Sequence, residues 1–366
     1  RSAESKALGI KMGDVWHLVA PKFRPQGVIA FSSNYTLYGD MSRRVMDTAR
    51  DCVESLEVYS IDEGFAQLSP GADPKQLAAD LRAKIRRNTG LTVSVGIAPT
   101  KVLAKAANRI SKRDPSMGGV YQWPTGEAAS ALLASMRPSD VWGIAGRLEA
   151  RLEAHQVKNA LDLAGMEDEV ARRVLSVTGL RIVLELRGIS AISLEEVHPS
   201  RKSIMCSRSF GVEISTSGEL QQAAACYAEN VGGKLRQHGL AAGAIQVFAS
   251  SNPFKAEQEQ FSGCIGLQLE TPTNDSIELV RAATACSRRL FAEGRHFKRV
   301  GVMVVELVPE KQTQLAFGSP SLAAIDRRRK LMATIDSINS NFGRGTVRSA
   351  HIPPRPVWVA RASKRS

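Results

Sequence analysis

The 366-residue sequence predicts an α+β protein of several domains that ends in a basic tail. Three observations carry that prediction. The first ~120 residues alternate helical and extended hydrophobic patterns, the mark of mixed α and β structure. A basic, helical stretch follows. After it comes a strand–helix–strand–strand–helix–strand pattern, which folds as one four-stranded sheet with two helices on one face.

The elements run in order as follows. Gly27 to Phe31 reads as a short apolar strand and Tyr35 to Arg50 as a helix. Leu56 to Ile61 and Gly64 to Leu68 read as two short strands. Lys75 to Arg87 reads as a helix and Leu91 to Ile97 as a strand rich in β-branched residues. Thr100 to Ile110 reads as a helix whose hydroxyl cap is Thr100. Pro124 and Gly126 mark a boundary, and residues 127–195 form short basic helices punctuated by Pro138 and Gly143. A linker spans Glu195 to Lys202. The repeat module then reads Ile204 to Ile214 (strand), Gly218 to His238 (helix), Ala244 to Ala249 and Cys264 to Leu269 (strands), Asp275 to Ala292 (helix) and Val300 to Leu307 (strand). Such a module serves many functions. The rest, with Arg327-Arg328-Arg329-Lys330 and a Pro- and Arg-rich end, reads as an extended or loosely packed tail.

Composition bounds the function. Forty-three per cent of residues are hydrophobic, enough to bury real cores. Lys and Arg outnumber Asp and Glu 49 to 36, a formal charge of +13 that suits a polyanion such as nucleic acid or is simply solvated. Five cysteines, at 52, 206, 226, 264 and 286, show no zinc or redox spacing and read as small core residues in a reducing compartment. No signal peptide and no bilayer-spanning apolar run is present, so a soluble, cytoplasmic chain without a membrane partner is expected. The chain begins with Arg1 rather than Met, which reads as a fragment.

The sharpest chemical signal is Tyr59-Ser60-Ile61-Asp62-Glu63-Gly64-Phe65, two adjacent carboxylates between short apolar strands. At a tight turn both can reach one sheet edge, where grouped hard oxygens suit Mg²⁺ shared with substrate phosphates. A plain hairpin turn is the other reading. A second signal is Val93 to Lys101 running into Leu103 to Asn108. Val102, Leu103, Ala106, Ala107 and Ile110 share one helical face, while Lys101, Lys105 and Lys112 fall on the other, as a phosphate-binding stripe or a solvated face.

These two segments resemble the palm of Y-family DNA polymerases, in detail the UmuC branch, the catalytic subunit of bacterial DNA polymerase V. Ala3 to Gly13, Phe31 to Tyr35, Tyr38 to Ser42 and Cys206 to Gly211 extend the resemblance over nearly the whole chain in order. It implies a right-hand architecture: fingers and palm over 1–125, a small helical thumb with a helix-hairpin-helix over 126–198, a β-α-β-β-α-β little finger over 199–309, and a basic C-terminal tail over 310–366. It implies error-prone lesion-bypass synthesis in the SOS response, on primer–template DNA with dNTP, in a bacterial cytoplasm. Asp62 would bind metal, and Glu63 would join the metal site or handle the primer hydroxyl proton. Lys6 and Lys112 would face the triphosphate as point charges. The cofactor would be Mg²⁺ in a two-metal site. The family's first metal-binding Asp and its ribonucleotide-excluding aromatic match no position here, so this chain is expected not to polymerise. The alternative is a catalytically dead fragment or paralogue that still holds DNA or the clamp. A repair nuclease would need further clustered carboxylates or histidines.

Asp140-Val141-Trp142-Gly143-Ile144 followed by Leu148, Leu152, Val157 and Leu161-Asp162-Leu163 resembles a helix-hairpin-helix, with Ala145 where a second glycine is usual and no glycine in His155-Gln156-Val157. Backbone N–H groups around Gly143, Ile144 and Gly146 would hold a DNA phosphate. An ordinary helical pair is the other reading. Lys202 and Arg208 are candidate phosphate contacts of the little finger. Gln312-Thr313-Gln314-Leu315-Ala316-Phe317 is similar to a sliding-clamp peptide anchored by Gln312, Leu315 and Phe317, or is a generic linker. Leu331 to Asn339 and Phe342 to Thr346 resemble the C-terminal segment of UmuC relatives. The resemblance also implies a UmuD′-like dimer and a RecA filament as partners.

Overall fold

A computed structural model describes residues 1–68, 71–195, 200–255, 257–312, 321–354, 356, 358 and 359. The chain divides into two compact units, residues 33–198 and residues 1–32 with 199–365. No described helix is long and apolar enough to cross a membrane.

Residues 1–32 carry α1 (Ala3–Ala7) and α2 (Trp16–Phe23). Ser2 caps α1, its hydroxyl accepting the Ser5 N–H at 3.2 Å. Gly27 to Phe31 does not form the expected strand. Ile29 and Phe31 are 64% and 61% exposed, so the apolar run is not covered by a sheet.

The 33–198 unit opens with α3 (Tyr35–Arg50), capped by Asn34, and a hairpin of β1 (Ser55–Val58) and β2 (Gly64–Gln67). The strands pair antiparallel with Val58 opposite Gly64, leaving residues 59–63 as the turn. Next come α4 (Pro74–Thr89), β3 (Val95–Ile97), α5 (Lys101–Arg113) and β4 (Val120–Gln122), with β4 parallel to β3. The expected Leu91–Ile97 strand is thus only its last three residues. A Cβ on Gly96 would lie 2.2 Å from the Asn108 backbone nitrogen, so only glycine lets α5 lie this close to β3. Thr100 caps α5 as expected.

Four helices follow: α6 (Glu127–Ser135), α7 (Gly146–Ala154), α8 (Ala160–Ala164) and α9 (Asp168–Leu186), the last broken at Ser176, whose φ of 68° is left-handed. Leu152, Leu163 and Val183 of these helices share one hydrophobic cluster with Val102 and Ala107 of α5. A buried acid adds to that joint. Glu185 accepts N–H groups from Val102 at 3.1 Å, Ala191 at 2.8 Å and Ile192 at 3.0 Å. Its carbonyl accepts the Thr100 hydroxyl at 2.8 Å.

The second unit contains β5 (Ser203–Ile214), α10 (Ser217–Gln237), β6 (Leu240–Ser250), β7 (Ser262–Thr273), α11 (Ser276–Leu290) and β8 (Phe297–Pro309). The sheet order is β5-β8-β6-β7 and every neighbouring pair is antiparallel. This is the module read from the sequence. Ile245, Val247, Val302, Leu220 and Leu279 are completely buried in one cluster between sheet and helices. Along β7, Ile265, Leu267 and Leu269 face that core, while Cys264, Gly266 and Gln268 are exposed on the other face. The cysteines differ from expectation: only Cys286 is buried, and Cys264 is exposed.

The C-terminal segment also corrects the sequence reading. It is not an extended tail, because α12 (Leu322–Phe342) is a 21-residue helix that carries the Arg327–Lys330 run. Arg328 pairs with Glu278 of α11, and Arg329 with Glu310 at 3.1 Å. Ile352 and Trp358 complete the hydrophobic cluster of the sheet and helices. The Trp358 carbonyl accepts the Gly211 N–H of edge strand β5 at 2.9 Å.

Candidate active site

The β1–β2 turn is closed by the Glu63 carbonyl, which accepts N–H groups from Tyr59 at 3.1 Å and Ser60 at 2.9 Å. The Ser60 hydroxyl donates to Asp62 Oδ1 at 2.6 Å. Asp62 is exposed, whereas the half-buried Glu63 carboxylate accepts from Lys105 Nζ at 2.6 Å. Both carboxylates therefore come from one turn, and Glu63 is the one in contact with α5.

The lysines are arranged differently from an open stripe. Lys101 and Lys105, one helical turn apart, both meet the hairpin. Lys101 pairs with Glu57 of β1 and donates to the Ser193 carbonyl at 2.7 Å. Glu57, 7% exposed, also accepts the Glu195 N–H at 2.8 Å. Spacing along one helix cannot reveal that acids some forty residues earlier neutralise two of its three lysines. Lys112, in the last turn of α5, stays exposed. Glu63, Lys105, Arg109, Lys112, Asp140 and Trp142 line one groove of about 310 Å³.

Sequence reasoning missed the aromatic joint beneath that groove. Trp142 of the 140–144 turn packs edge-on against Tyr59 at 5.4 Å and lies 5.6 Å from Phe65. Lys105 Nζ sits 5.6 Å from the Tyr59 ring centre and 5.8 Å from Trp142. Arg109 donates to Asp140 Oδ1 at 2.5 Å. Partial burial works against the charged Asp140, but hydrogen bonds from Arg137 and Arg109 hold its carboxyl below the usual range. The signal was a tryptophan and a tyrosine inside the two turn motifs, neither in a core-forming period. The turn with the two carboxylates and the turn with the hairpin glycine are thus one packed assembly.

Gly143 has φ +92°, and a Cβ there would lie 2.6 Å from Ile182 Cδ1. Ile144 is buried and its N–H donates to the Val141 carbonyl at 3.1 Å. Gly146 opens α7 behind Ala145, which supplies no side-chain acceptor for the N–H groups of the first turn. In the second turn Gln156 takes φ 59°, the left-handed geometry a glycine would adopt without strain. Leu152, Val157 and Leu163 are buried, while Leu161 is 39% exposed.

The remaining candidates scatter. Lys6 is exposed on α1, in the other unit. Lys202 is exposed just before β5. Arg208 does not lie on the open face of the sheet; it lines a groove on the helix side with Cys206 and α10. Arg299 is on the open face, where it donates to the Ser207 hydroxyl at 3.0 Å and lies 5.6 Å from the Phe248 ring. Gln312 ends a short turn from Glu310, and Leu315 and Phe317 lie outside the described residues, as does most of the clamp-like peptide.

Among the described residues no group of three His, Cys, Asp or Glu side chains converges on a point. Asp62 and Glu63 are hard oxygen donors from one turn. Mg²⁺ commonly takes one or two carboxylates and completes its shell with water and substrate phosphates, so the pair fits a phosphate-shared ion and not a closed protein cage.

The chain matches the impB/mucB/samB family over residues 1–109 and the impB/mucB/samB family C-terminal domain over residues 201–317. Residues 329–366 match a domain of unknown function (DUF4113). Protein UmuC of Salmonella typhimurium is 36% identical over 350 residues, 94% of this chain and 83% of that protein. Protein SamB of Salmonella typhimurium is 35% identical over 363 residues, 98% of this chain and 85% of that protein. Among solved structures, the Y-family DNA polymerase chimera Dbh-Dpo4(243-245)-Dbh superposes with a TM-score of 0.63 at 19% identity, covering 83% of this chain and 86% of that one.

Proposed function

The chain belongs to the impB/mucB/samB family, the UmuC branch of the Y-family DNA polymerases, and from that premise we propose that its full-length protein carries out error-prone synthesis past damaged template bases in the SOS response, while the chain as given, in which no residue matches the family's first metal-binding Asp, does not extend primers by itself. Residues 1–125 serve as fingers and palm, 126–198 as thumb and 199–309 as little finger. The primer 3′-hydroxyl attacks the α-phosphate of a dNTP and pyrophosphate leaves. Asp62 and Glu63 would hold Mg²⁺ together with the triphosphate. That ion, when bound, offsets charge on the attacking and leaving oxygens. Lys105 keeps the Glu63 carboxylate oriented before substrate arrives, and Lys112 contacts phosphate oxygens as a point charge. The hairpin at Gly143 to Gly146 holds a DNA phosphate on the first N–H groups of α7. On the open face of the little-finger sheet, Arg299 and the hydroxyl-bearing edge strand contact the backbone, with Lys202 at its margin. Family membership supports a sliding clamp, a UmuD′-like dimer and a RecA filament as partners.

The observation that carries this reading is the groove itself: Glu63 bound to Lys105 at 2.6 Å, with Lys112 along the same wall. The test is primer extension across an abasic template by the full-length protein, with Asp62→Ala beside the unaltered one. The variant should lose synthesis by about a hundredfold or more while duplex affinity stays within about twofold. Undiminished synthesis would remove Asp62 from the site. A second reading, a chain that holds DNA without extending it, is favoured by the small number of convergent metal-binding side chains among the described residues. It predicts duplex binding with no extension by the unaltered protein.

A further inference from the structure

The second unit holds a larger groove, of about 1370 Å³, on the side of the little-finger module that carries the helices. Its walls come from β5, α10, α11, α12 and the segment after α12. Seven cations line it against two carboxylates, Glu229 and Asp336. Asp336 is taken up by Arg236, which grips it with two hydrogen bonds of 2.6 and 2.8 Å. Glu229 accepts the Ser349 N–H at 3.1 Å, which helps dock the segment after α12. The other six cations are Arg208, Lys234, Arg281, Arg288, Arg344 and Arg348. Lys234 donates to the Met205 carbonyl and Arg288 to the Gln221 side-chain carbonyl, neutral partners that leave the positive charge uncancelled.

Three of these cations come from different elements. Lys234 of α10 reaches across to β5, where it donates to the Met205 carbonyl, Arg208 stands on the groove-facing side of the same strand, and Arg344 of the C-terminal segment lines the same groove. Their charges come from a strand, a helix and the C-terminal segment, so only the folded unit brings them together. Like charges lining one groove repel one another unless an anion joins them. The remaining cations lie on other elements, so one small anion cannot meet them all, whereas a chain of phosphates can. Guanidinium groups suit phosphate oxygens because their forks bond two at once. A concave groove follows a flexible single strand more readily than the broad, stiff surface of a duplex.

From this we infer that the groove between α10, α11 and the C-terminal segment binds the sugar–phosphate backbone of a single-stranded nucleic acid, separately from primer–template duplex. Through Arg344 and Arg348, the matched domain of unknown function supplies one wall of the site. The inference rests on the reading of this chain as a DNA-handling enzyme only for the identity of the polyanion.

The test uses the full chain, a labelled dT12 oligonucleotide and a labelled primer–template hairpin, titrated by fluorescence anisotropy over a range of salt. Arg208→Glu with Arg344→Glu should weaken dT12 binding at least about tenfold. It should also reduce the salt slope by about 1.4, two contacts at roughly 0.7 each. Affinity for the hairpin should stay within about twofold. Unchanged dT12 affinity and slope would overturn the site. Displacement of dT12 by polyglutamate of equal charge at equal concentration would overturn the nucleic-acid assignment in favour of an acidic protein. Loss of hairpin binding by the unaltered protein would count against the polymerase reading alone. If the double variant melts early, Arg281→Glu on α11 carries the test, with an expected slope change of about 0.7.

Discussion

The two units of this protein are held together by different physics. The unit of residues 1–32 and 199–365 is built on a sheet packed against two helices, with Ile245, Val302, Leu279 and Trp358 inside it, all at most 2% exposed. The 33–198 unit has short strands of three or four residues and relies more on polar ties across long stretches of chain. Glu57 joins β1 to α5 and to the Glu195 backbone, Glu185 joins α9 to the start of α5, and Glu63 joins the hairpin to Lys105. Apolar burial is tolerant of exact placement, while a carboxylate that accepts several N–H groups sets positions to within fractions of an ångström. The unit that would align substrate is the one built on the stricter interaction.

That contrast can be broken by substitution. Glu185→Ala should be the most damaging, at about 4 kcal/mol, because three N–H groups lose their acceptor at once. Urea unfolding followed by tryptophan fluorescence measures it, and a cost under about 1 kcal/mol would show that the polar tie is dispensable. Trp358→Ala should cost the other unit about 3 kcal/mol, as a large buried side chain is lost. A free C-terminal tail would instead leave the unfolding midpoint unchanged. Gly143→Ala should cost about 1–2 kcal/mol, since φ is +92° and the new methyl would meet Ile182. It should also weaken duplex binding, as gel shift would reveal.

The smallest effect concerns pH. Hydrogen bonds, first from Asn252 and then from Lys255 and Gln258, hold the Glu213 carboxyl down at about 2, against burial that pushes it up. A depressed acid stabilises the fold above its unfolded pKa of 4.5, and that contribution fades as pH falls toward 2. The melting temperature of the unit should therefore drop across that window, and Glu213→Gln should flatten the drop. An equal slope in the variant would assign the acid sensitivity to other groups.

The same contrast explains what the sequence could reveal. The β-α-β-β-α-β module was legible because alternation along β7 and helical periodicity in α10 and α11 are local signals of burial. The hairpin at 55–67 and the cap at Thr100 were legible for the same reason. Gly27 to Phe31 failed because apolar residues announce a strand whether or not a neighbouring strand exists. α12 was hidden by its own Arg327–Lys330 run, whose charges sit on a helix, and Ile352 and Trp358 are anchors too isolated to make a period. The pairings of Glu57, Glu63 and Glu185 with α5 link residues 42 to 83 apart, and nothing in their local sequence marks a partner. Ion pairs set by tertiary contact are the least readable part of a chain, and here they build the candidate site.

Manganese binding tests the central claim most directly, because Mn²⁺ replaces Mg²⁺ among carboxylates and phosphates and is visible by electron paramagnetic resonance. With primer–template and dNTP present, the unaltered protein should bind Mn²⁺ through Asp62 and Glu63, and Asp62→Ala with Glu63→Ala should lose that binding while its melting curve and duplex affinity hold. Equal Mn²⁺ binding in the double variant would place the ion elsewhere and contradict the account.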